Sequence, residues 1–599
     1  MLSSISKSIN TSTIKKSSSQ LTGSITPLLI SKTLSNYWLN GLLPKYHSRV
    51  ALISKHEPTT SNPASSNQTI KWTFSEFDDQ IHRLANGLLK LGVRKGDRVG
   101  IYSQNNSAYA TLQWATAEIG AILTTINPAY QPLELKNALN KVQCKVLFCT
   151  PSIRRQDTLA ILKSIQLEDT QTLPHLKSIV LIDNEYGKKG RSIDSVISQL
   201  RGGLDYREVL VKESNRVNRI DETLLPDDVI NLQFTSGTTG LPKAAALTHH
   251  NILNNAVQMG ERMNLQPEDR VCNVPPLFHC FGLVIGNLSS WIHGARVVYP
   301  SEGFDAHATL RAIASEKCTA VHGVPTMFIA ELQALKEIGP LDLSSLRTGV
   351  IAGSPVPKGM ITELERHMNL TQMTIVYGMT ETSPCSFQTS YDDKSPKRMT
   401  TVGKILPHLR AKILDQDGNT LDCGEAGELV VSGYALQKGY WEDEVATKKA
   451  MYKDETDGQT WMRTGDLGKI DDEGYLSIIG RSKDMIIRGG ENLNPVQIED
   501  CINKIEGVVD SAVVGVPDDF FGETVGVFVK CNGPVERSQI CEAVTTRLSH
   551  QNSPKWVWFL GKKEEVEDQE FPLTASGKIM KVELRKMATE LCKKKIGKV

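Results

Sequence analysis

Residues 235–243 read TSGTTGLPK: four hydroxyl side chains, two glycines and one closing lysine. The DDVINLQF run before them has the composition of a buried strand, and residues 244–247 also read as extended. A polar, flexible loop therefore joins two strands. Glycines let backbone N–H groups approach an anion, hydroxyls donate to it, and the lysine supplies charge. Thr235, Ser236, Gly237, Thr238, Thr239, Gly240, Leu241, Pro242 and Lys243 thus form a candidate phosphate cradle. A Ser/Thr/Gly surface loop is the plainer reading, and the full nine-residue string favours the cradle over it.

The string is not the P-loop of kinases and GTPases. That motif sets its lysine directly after glycine and a Mg-binding hydroxyl next. Here Leu241 and Pro242 separate Gly240 from Lys243, Ala244 follows, and no helix starts at the lysine. The string resembles the phosphate loop of adenylate-forming enzymes: acyl-CoA synthetases, luciferases and peptide-synthetase adenylation domains. Those enzymes use ATP to activate a carboxylate as an acyl-AMP.

Four further segments fit that chemistry in order. In YGMTET (377–382), Gly378 permits a tight turn and Glu381 offers a carboxylate to Mg2+, a hard cation that seeks oxygen. Thr380 offers a hydroxyl to the α-phosphate, and the Tyr377 ring offers a face to adenine. In WMRTGDLGKIDDEGY, Asp466 sits in a turn where its carboxylate can accept from a ribose diol. In GRSKDMIIRGGEN, Arg481 can reach ribose or phosphate and Lys483 lies at an expected hinge. In PLTASGKIMKVELR, Lys578 follows a glycine-containing loop and precedes the last helix. Each segment alone reads as an ordinary turn or a solvated lysine; their order carries the signal.

The resemblance spans about residues 50–590, and GERMNL, PLFHCFG, VIAGSPVP and GRSKDMIIRGGEN look most like the mitochondrial medium-chain acyl-CoA synthetases. It implies two steps and three small-molecule substrates: a fatty acid, ATP and coenzyme A. Lys243 and its loop hold the β- and γ-phosphates, with Gly353, Ser354 and Pro355 also at the nucleotide. Lys578 bridges the α-phosphate and the acyl carboxylate. The C-terminal part then swings about Lys483, and Gly489 and Gly490 border a tunnel for pantetheine. The acyl pocket is walled by His279, Gly282, Val324, Met327, Gly349 and Met379, mostly apolar or small and without an obvious cation. Small residues at Gly282, Gly349, Gly353 and Gly378 are expected to leave room for an alkyl chain. Ala244, Asn494 and the polar HQNSPK stretch depart from the pattern of relatives. An aryl or oxalyl acid:CoA ligase, a luciferase-like enzyme and a silent AMP-binding regulator are the alternatives.

The elements that position these residues read as α/β. Helical and strand patterns alternate from Phe74 through GVIAGS, with a helix expected over ATLQWATAEIGAIL, which implies parallel-type sheets with helical cover. From Val402, short strands and turns such as DQDGN suggest an antiparallel, barrel-like part. After Arg481 a small α+β module follows. The expected domains are a transit segment over 1–25, an N-terminal AMP-binding and acyl-substrate domain over 26–482, and a mobile C-terminal domain over 483–599.

Charge is balanced, 68 Lys and Arg against 67 Asp and Glu, which favours no nucleic-acid partner. No apolar run reaches the roughly 18 residues a membrane span needs. Eleven scattered cysteines fit neither a zinc site nor a disulfide scaffold. No acidic residue occurs before Glu57, and residues 1–20 hold eight serines, two threonines and three lysines. Basic, hydroxylated and acid-free is the composition of a mitochondrial transit peptide, so the matrix is the expected compartment.

Overall fold

Helix Phe74–Lys90 shows how the sequence fixes its elements. The Thr73 hydroxyl accepts from the Glu76 N–H, and the Glu76 carboxylate accepts from the Thr73 N–H at 2.7 Å, a reciprocal cap. Phe74, Phe77, Ile81, Leu84 and Leu88 recur at helical spacing and are fully buried. They meet Trp38, Trp114 and Trp291 in an aromatic cluster, with Trp38 and Trp114 rings 4.5 Å apart and Phe77 and Trp291 5.1 Å apart. Burying each such side chain contributes roughly 1.5–3 kcal/mol.

The computed structural model describes residues 18–58, 69–153, 156–168, 172–184, 193–212, 223–235, 242–357, 359–394, 396–489, 491–518, 520–574 and 577–599. An eight-stranded sheet runs parallel from Gly203–Asp205 to Val229–Thr235, then adds the antiparallel strands Lys243–Thr248 and Gly439–Tyr440. A nine-stranded sheet holds Arg270–Asn273, Ala320–Gly323, Thr348–Ala352 and Gln372–Gly378 side by side and parallel. A six-stranded antiparallel sheet includes Leu409–Leu414, Gly427–Gly433, Thr460–Ile470 and Leu476–Arg481. The C-terminal part has its own five-stranded sheet, built on Val508–Asp518 and Gly522–Cys531, with separate apolar clusters. A single turn of 3-10 helix, Ser482–Asp484, connects the last two sheets. Among the described residues, no helix is long and apolar enough to cross a membrane.

Two expectations change. The helix expected through residue 123 ends at Glu118, and Ile122–Thr125 is a strand. Gly120, at φ +68°, turns the chain, and Ile122–Thr125 fills the slot between Arg98–Tyr102 and Val229–Thr235. The segment just before residue 25 is also part of the fold. Leu21–Thr22 pairs with Leu409–Leu414, and the buried Ser19 donates to the Leu421 carbonyl at 2.7 Å. A leader removed at residue 25 would take this strand with it; residues 1–17 lie outside the described residues.

Candidate active site

The carboxyl ends of four adjacent parallel strands converge on one crevice, the place where open α/β sheets bind ligands. Arg270–Asn273 leads to His279, Ala320–Gly323 to Val324, Thr348–Ala352 to Gly353, and Gln372–Gly378 carries Tyr377 at its end. Thr235 and Lys243 close the neighbouring hairpin as cross-strand partners. Ser236, Gly237, Thr238, Thr239, Gly240 and Leu241 between them lie outside the described residues, as does Gly490.

Lys243 reaches the site through a residue that sequence reading missed. Its ammonium lies 4.9 Å from the Tyr440 ring centroid, and the Tyr440 hydroxyl donates to Glu381 at 2.7 Å. Burial, followed by the Glu381 charge, raises the Tyr440 pKa and keeps it a neutral donor. Tyr440 stands on a two-residue strand paired with Lys243–Thr248, too short for a period to be read. Thr380–Thr382 forms one turn of 3-10 helix, and Thr380 and Glu381 are buried.

The Glu381 carboxylate suits Mg2+. Among the described residues no Lys or Arg nitrogen lies within 4.0 Å of it, so its charge is not already paired. No cluster of three His, Cys, Asp or Glu side chains among them could hold a metal by itself. Mg2+ characteristically combines one or two carboxylates with substrate phosphates.

Asp466 and Arg481 are cross-strand partners on Thr460–Ile470 and Leu476–Arg481. Gly465, at φ +72°, bends the first of these strands, and the Asp466 N–H donates to Thr464 Oγ1 at 3.1 Å. Tyr377 donates to Asp466 Oδ2 at 2.7 Å, and Arg481 Nε lies 3.2 Å from Oδ1. Each carboxylate oxygen keeps a further lone pair for a hydroxyl ligand. Tyr377, Asp466 and Arg481 thus form one connected edge of the crevice.

Lys578 arrives from the C-terminal part. The Gly577 carbonyl accepts from Thr326 Oγ1 at 3.3 Å, which docks its loop on the start of helix Pro325–Ile338. A Cβ on Gly353 would lie 3.2 Å from Lys578 Cε and 3.9 Å from Nζ. Burial, then Arg481, lowers the pKa of this ammonium, while Cys280, Asp466 and Glu381 oppose that. Ser354 and Pro355 stand exposed beside Gly353.

On the acyl side, His279 Nδ1 accepts from the Phe281 N–H at 3.1 Å. Burial, and secondarily Lys578, pushes the imidazole down to about 3, so it is neutral at physiological pH. Val324 and Met327 are buried and Met379 is half-buried. Three glycines do not give the expected room. A Cβ on Gly282 would lie 2.5 Å from the Pro275 carbonyl oxygen, one on Gly349 1.9 Å from that of Val321, and one on Gly378 1.8 Å from that of Pro384. Their absent side chains admit backbone, not substrate. Lys483 is exposed on the connecting turn, whose Asp484 pairs with Arg585. Gly489 packs by Phe521, 3.3 Å from the position of an added Cβ.

Residues 45–441 match the AMP-binding enzyme family, and residues 497–578 match the AMP-binding enzyme C-terminal domain. The chain is 42% identical over 534 residues to the acyl-CoA ligase sidI of Aspergillus fumigatus, covering 88% of each chain. It is 38% identical over 531 residues to the mitochondrial medium-chain acyl-CoA ligase ACSF2 of Bos taurus, covering 86% of this chain and 83% of that one. Its fold is similar to the anthranilate CoA ligase AuaEII in complex with anthranoyl-AMP, at a TM-score of 0.76 and 25% identity, covering 95% of this chain and 99% of that one.

Proposed function

The chain belongs to the AMP-binding enzyme family and is an ATP-dependent acyl-CoA ligase, and on that premise we propose that its acid is a medium-chain fatty acid. The observation that carries this reading is Val324, buried and apolar, which meets Lys578 at Gly353 and is followed by the buried Met327 and Phe328 of helix Pro325–Ile338. The kinship to medium-chain ligases supports it.

In the first step a carboxylate oxygen attacks the α-phosphorus of ATP; the bond to the β-phosphate bridge breaks, and acyl-AMP and pyrophosphate form. Lys243, whose ammonium lies 4.9 Å from the Tyr440 ring centroid, would bind the β- and γ-phosphates. Glu381 would hold Mg2+, which when bound offsets phosphate charge. Asp466 accepts from the ribose hydroxyls, and Arg481 fixes that carboxylate. Lys578 meets the charge that develops between carboxylate and α-phosphate, in a buried site where such charge is worth most. In the second step the C-terminal domain turns about Lys483 and withdraws Lys578. Gly489, just after strand Ile486–Arg488, would then border the path of CoA, whose thiol attacks the acyl carbonyl and expels AMP.

Pyrophosphate release across straight-chain acids from acetate to palmitate, plus one aromatic acid, tests the substrate. Each buried CH2 is worth roughly 0.8 kcal/mol, so kcat/KM should climb several-fold per carbon to an optimum at about six to twelve carbons. A best rate with acetate, oxalate or the aromatic acid overturns the medium-chain reading and leaves the ligase intact.

The same reading places the enzyme in the mitochondrial matrix, on the acid-free composition of its first residues and the mitochondrial relatives. Residues 1–25 fused to a reporter should carry it into mitochondria; a reporter that stays cytosolic counts against it.

A further inference from the structure

Gln437 is 2% exposed, and among the described residues neither its amide nitrogen nor its amide oxygen completes a hydrogen bond. A buried amide in that condition costs free energy and calls for an explanation.

The loop that carries Gln437 does not need this side chain to hold its course. Ser383 Oγ donates to the Ala435 carbonyl at 2.6 Å. The Gln437 N–H donates to the Glu381 carbonyl at 2.8 Å, and the Lys438 N–H to the Ala246 carbonyl at 2.9 Å. These bonds pin the loop between the turn that bears Glu381 and the strand Lys243–Thr248, so the place of Gln437 beside the active site is set by main chain. Tyr440, three residues on, is fixed as firmly. Its N–H donates to Thr447 Oγ1 at 2.9 Å, its ring faces Lys243, and its hydroxyl donates to Glu381 Oε1 at 2.7 Å.

The Gln437 amide is directed at that hydroxyl. Burial and then Glu381 raise the Tyr440 pKa, whereas Gln437 lowers it, as an N–H aimed at the phenol oxygen does. The sense of the contact follows from the donor count. A tyrosine hydroxyl has one proton, which goes to Glu381, so its oxygen can only accept; of the two amide atoms only Nε2 can donate. The approach falls short of a full hydrogen bond. Hydrogen bonds of catalytic sites are often loose of this kind and tighten in the substrate complex.

We propose that Gln437 is a positioning residue of the metal site: its amide nitrogen donates to the Tyr440 oxygen and so keeps the hydroxyl proton on Glu381, the candidate Mg2+ ligand. The inference rests on the ligase reading and deepens it. Gln437 acts through Tyr440 and touches no reacting atom. Each donor in such a chain polarises the next, so loss of the first is felt at the carboxylate.

The test measures binding rather than turnover. Mn2+ takes the same oxygen ligands as Mg2+ and is counted directly by electron paramagnetic resonance. With a non-hydrolysable ATP analogue present, Gln437→Leu should weaken Mn2+ binding by about fivefold, while metal-free affinity for the analogue stays within about twofold. Tyr440→Phe should weaken Mn2+ binding at least as much. The double variant should be no worse than Tyr440→Phe alone, because the amide acts only through the hydroxyl. Gln437→Met, unbranched and of similar length, repeats the measurement if Gln437→Leu folds poorly. Unchanged Mn2+ affinity, or losses that add in the double variant, overturn the proposal. So does an equal loss of metal-free analogue binding, which would assign Gln437 to packing alone. A wild-type enzyme that binds no ATP analogue would defeat the ligase reading itself; analogue bound with Mn2+ affinity indifferent to Gln437 defeats only this inference.

Discussion

Tyr440 links two residues that the sequence leaves far apart. Its ring faces the Lys243 ammonium and its hydroxyl donates to Glu381, so one side chain touches both the candidate phosphate lysine and the candidate Mg2+ ligand. Hydrogen bonds to charged groups are worth roughly 1.5–3 kcal/mol. Tyr440→Phe keeps the ring and removes the donor. Adenylation should fall roughly tenfold, with more Mg2+ needed for half-maximal rate, while ATP affinity without metal stays near wild type. An unchanged Mg2+ titration would show that Glu381 orients without Tyr440. Lys243, Glu381, Asp466, Arg481 and Lys578 stood out in sequence as candidates because their segments follow one another in the order of a known family, whereas each later segment alone reads as an ordinary turn or a solvated lysine. Tyr440 and Thr326 did not: a hydrophobic or strand context hides a side chain whose contact is with a partner on another element.

The elements divide by how local their determinants are. Helix Phe74–Lys90 was readable because cap and apolar stripe lie within its own residues. Strand Ile122–Thr125 was not, because it exists by pairing with Arg98–Tyr102 and Val229–Thr235 on either side. The same limit applied to the glycines. Gly282, Gly349 and Gly378 read as space from sequence, yet each receives a neighbouring carbonyl from elsewhere in the chain. The connecting turn Ser482–Asp484 carries the element-scale prediction. Proline fixes φ near −65° and removes a donor. Lys483→Pro should lock the turn, spare acyl-AMP formation and block transfer to CoA by about 10-fold or more. Equal loss of both half-reactions would place the pivot elsewhere.

At the scale of the molecule, the fold brings a C-terminal loop onto an N-terminal crevice. Gly577 docks on Thr326, and Lys578 lies half-buried against Gly353, within electrostatic reach of Cys280, Glu381, Asp466 and Arg481. On the proposed mechanism this arrangement would serve the first chemical step, and CoA attack would need a second one in which the lysine has left. The α/β class and the separate C-terminal module were visible in the sequence, because strand–helix alternation gives way to hairpins near Val402 and to a new pattern after Arg481. The meeting of the two parts came only from the family resemblance and not from local pattern, since it depends on contacts between residues some 250 positions apart, such as Thr326 and Gly577. The direct test is Lys578→Ala assayed in each half-reaction separately. ATP–pyrophosphate exchange should fall by about 10²–10³, while thioester formation from purified acyl-AMP and CoA stays within about threefold of wild type. If thioester formation falls as far as exchange does, one lysine serves both steps and the two-arrangement account is wrong.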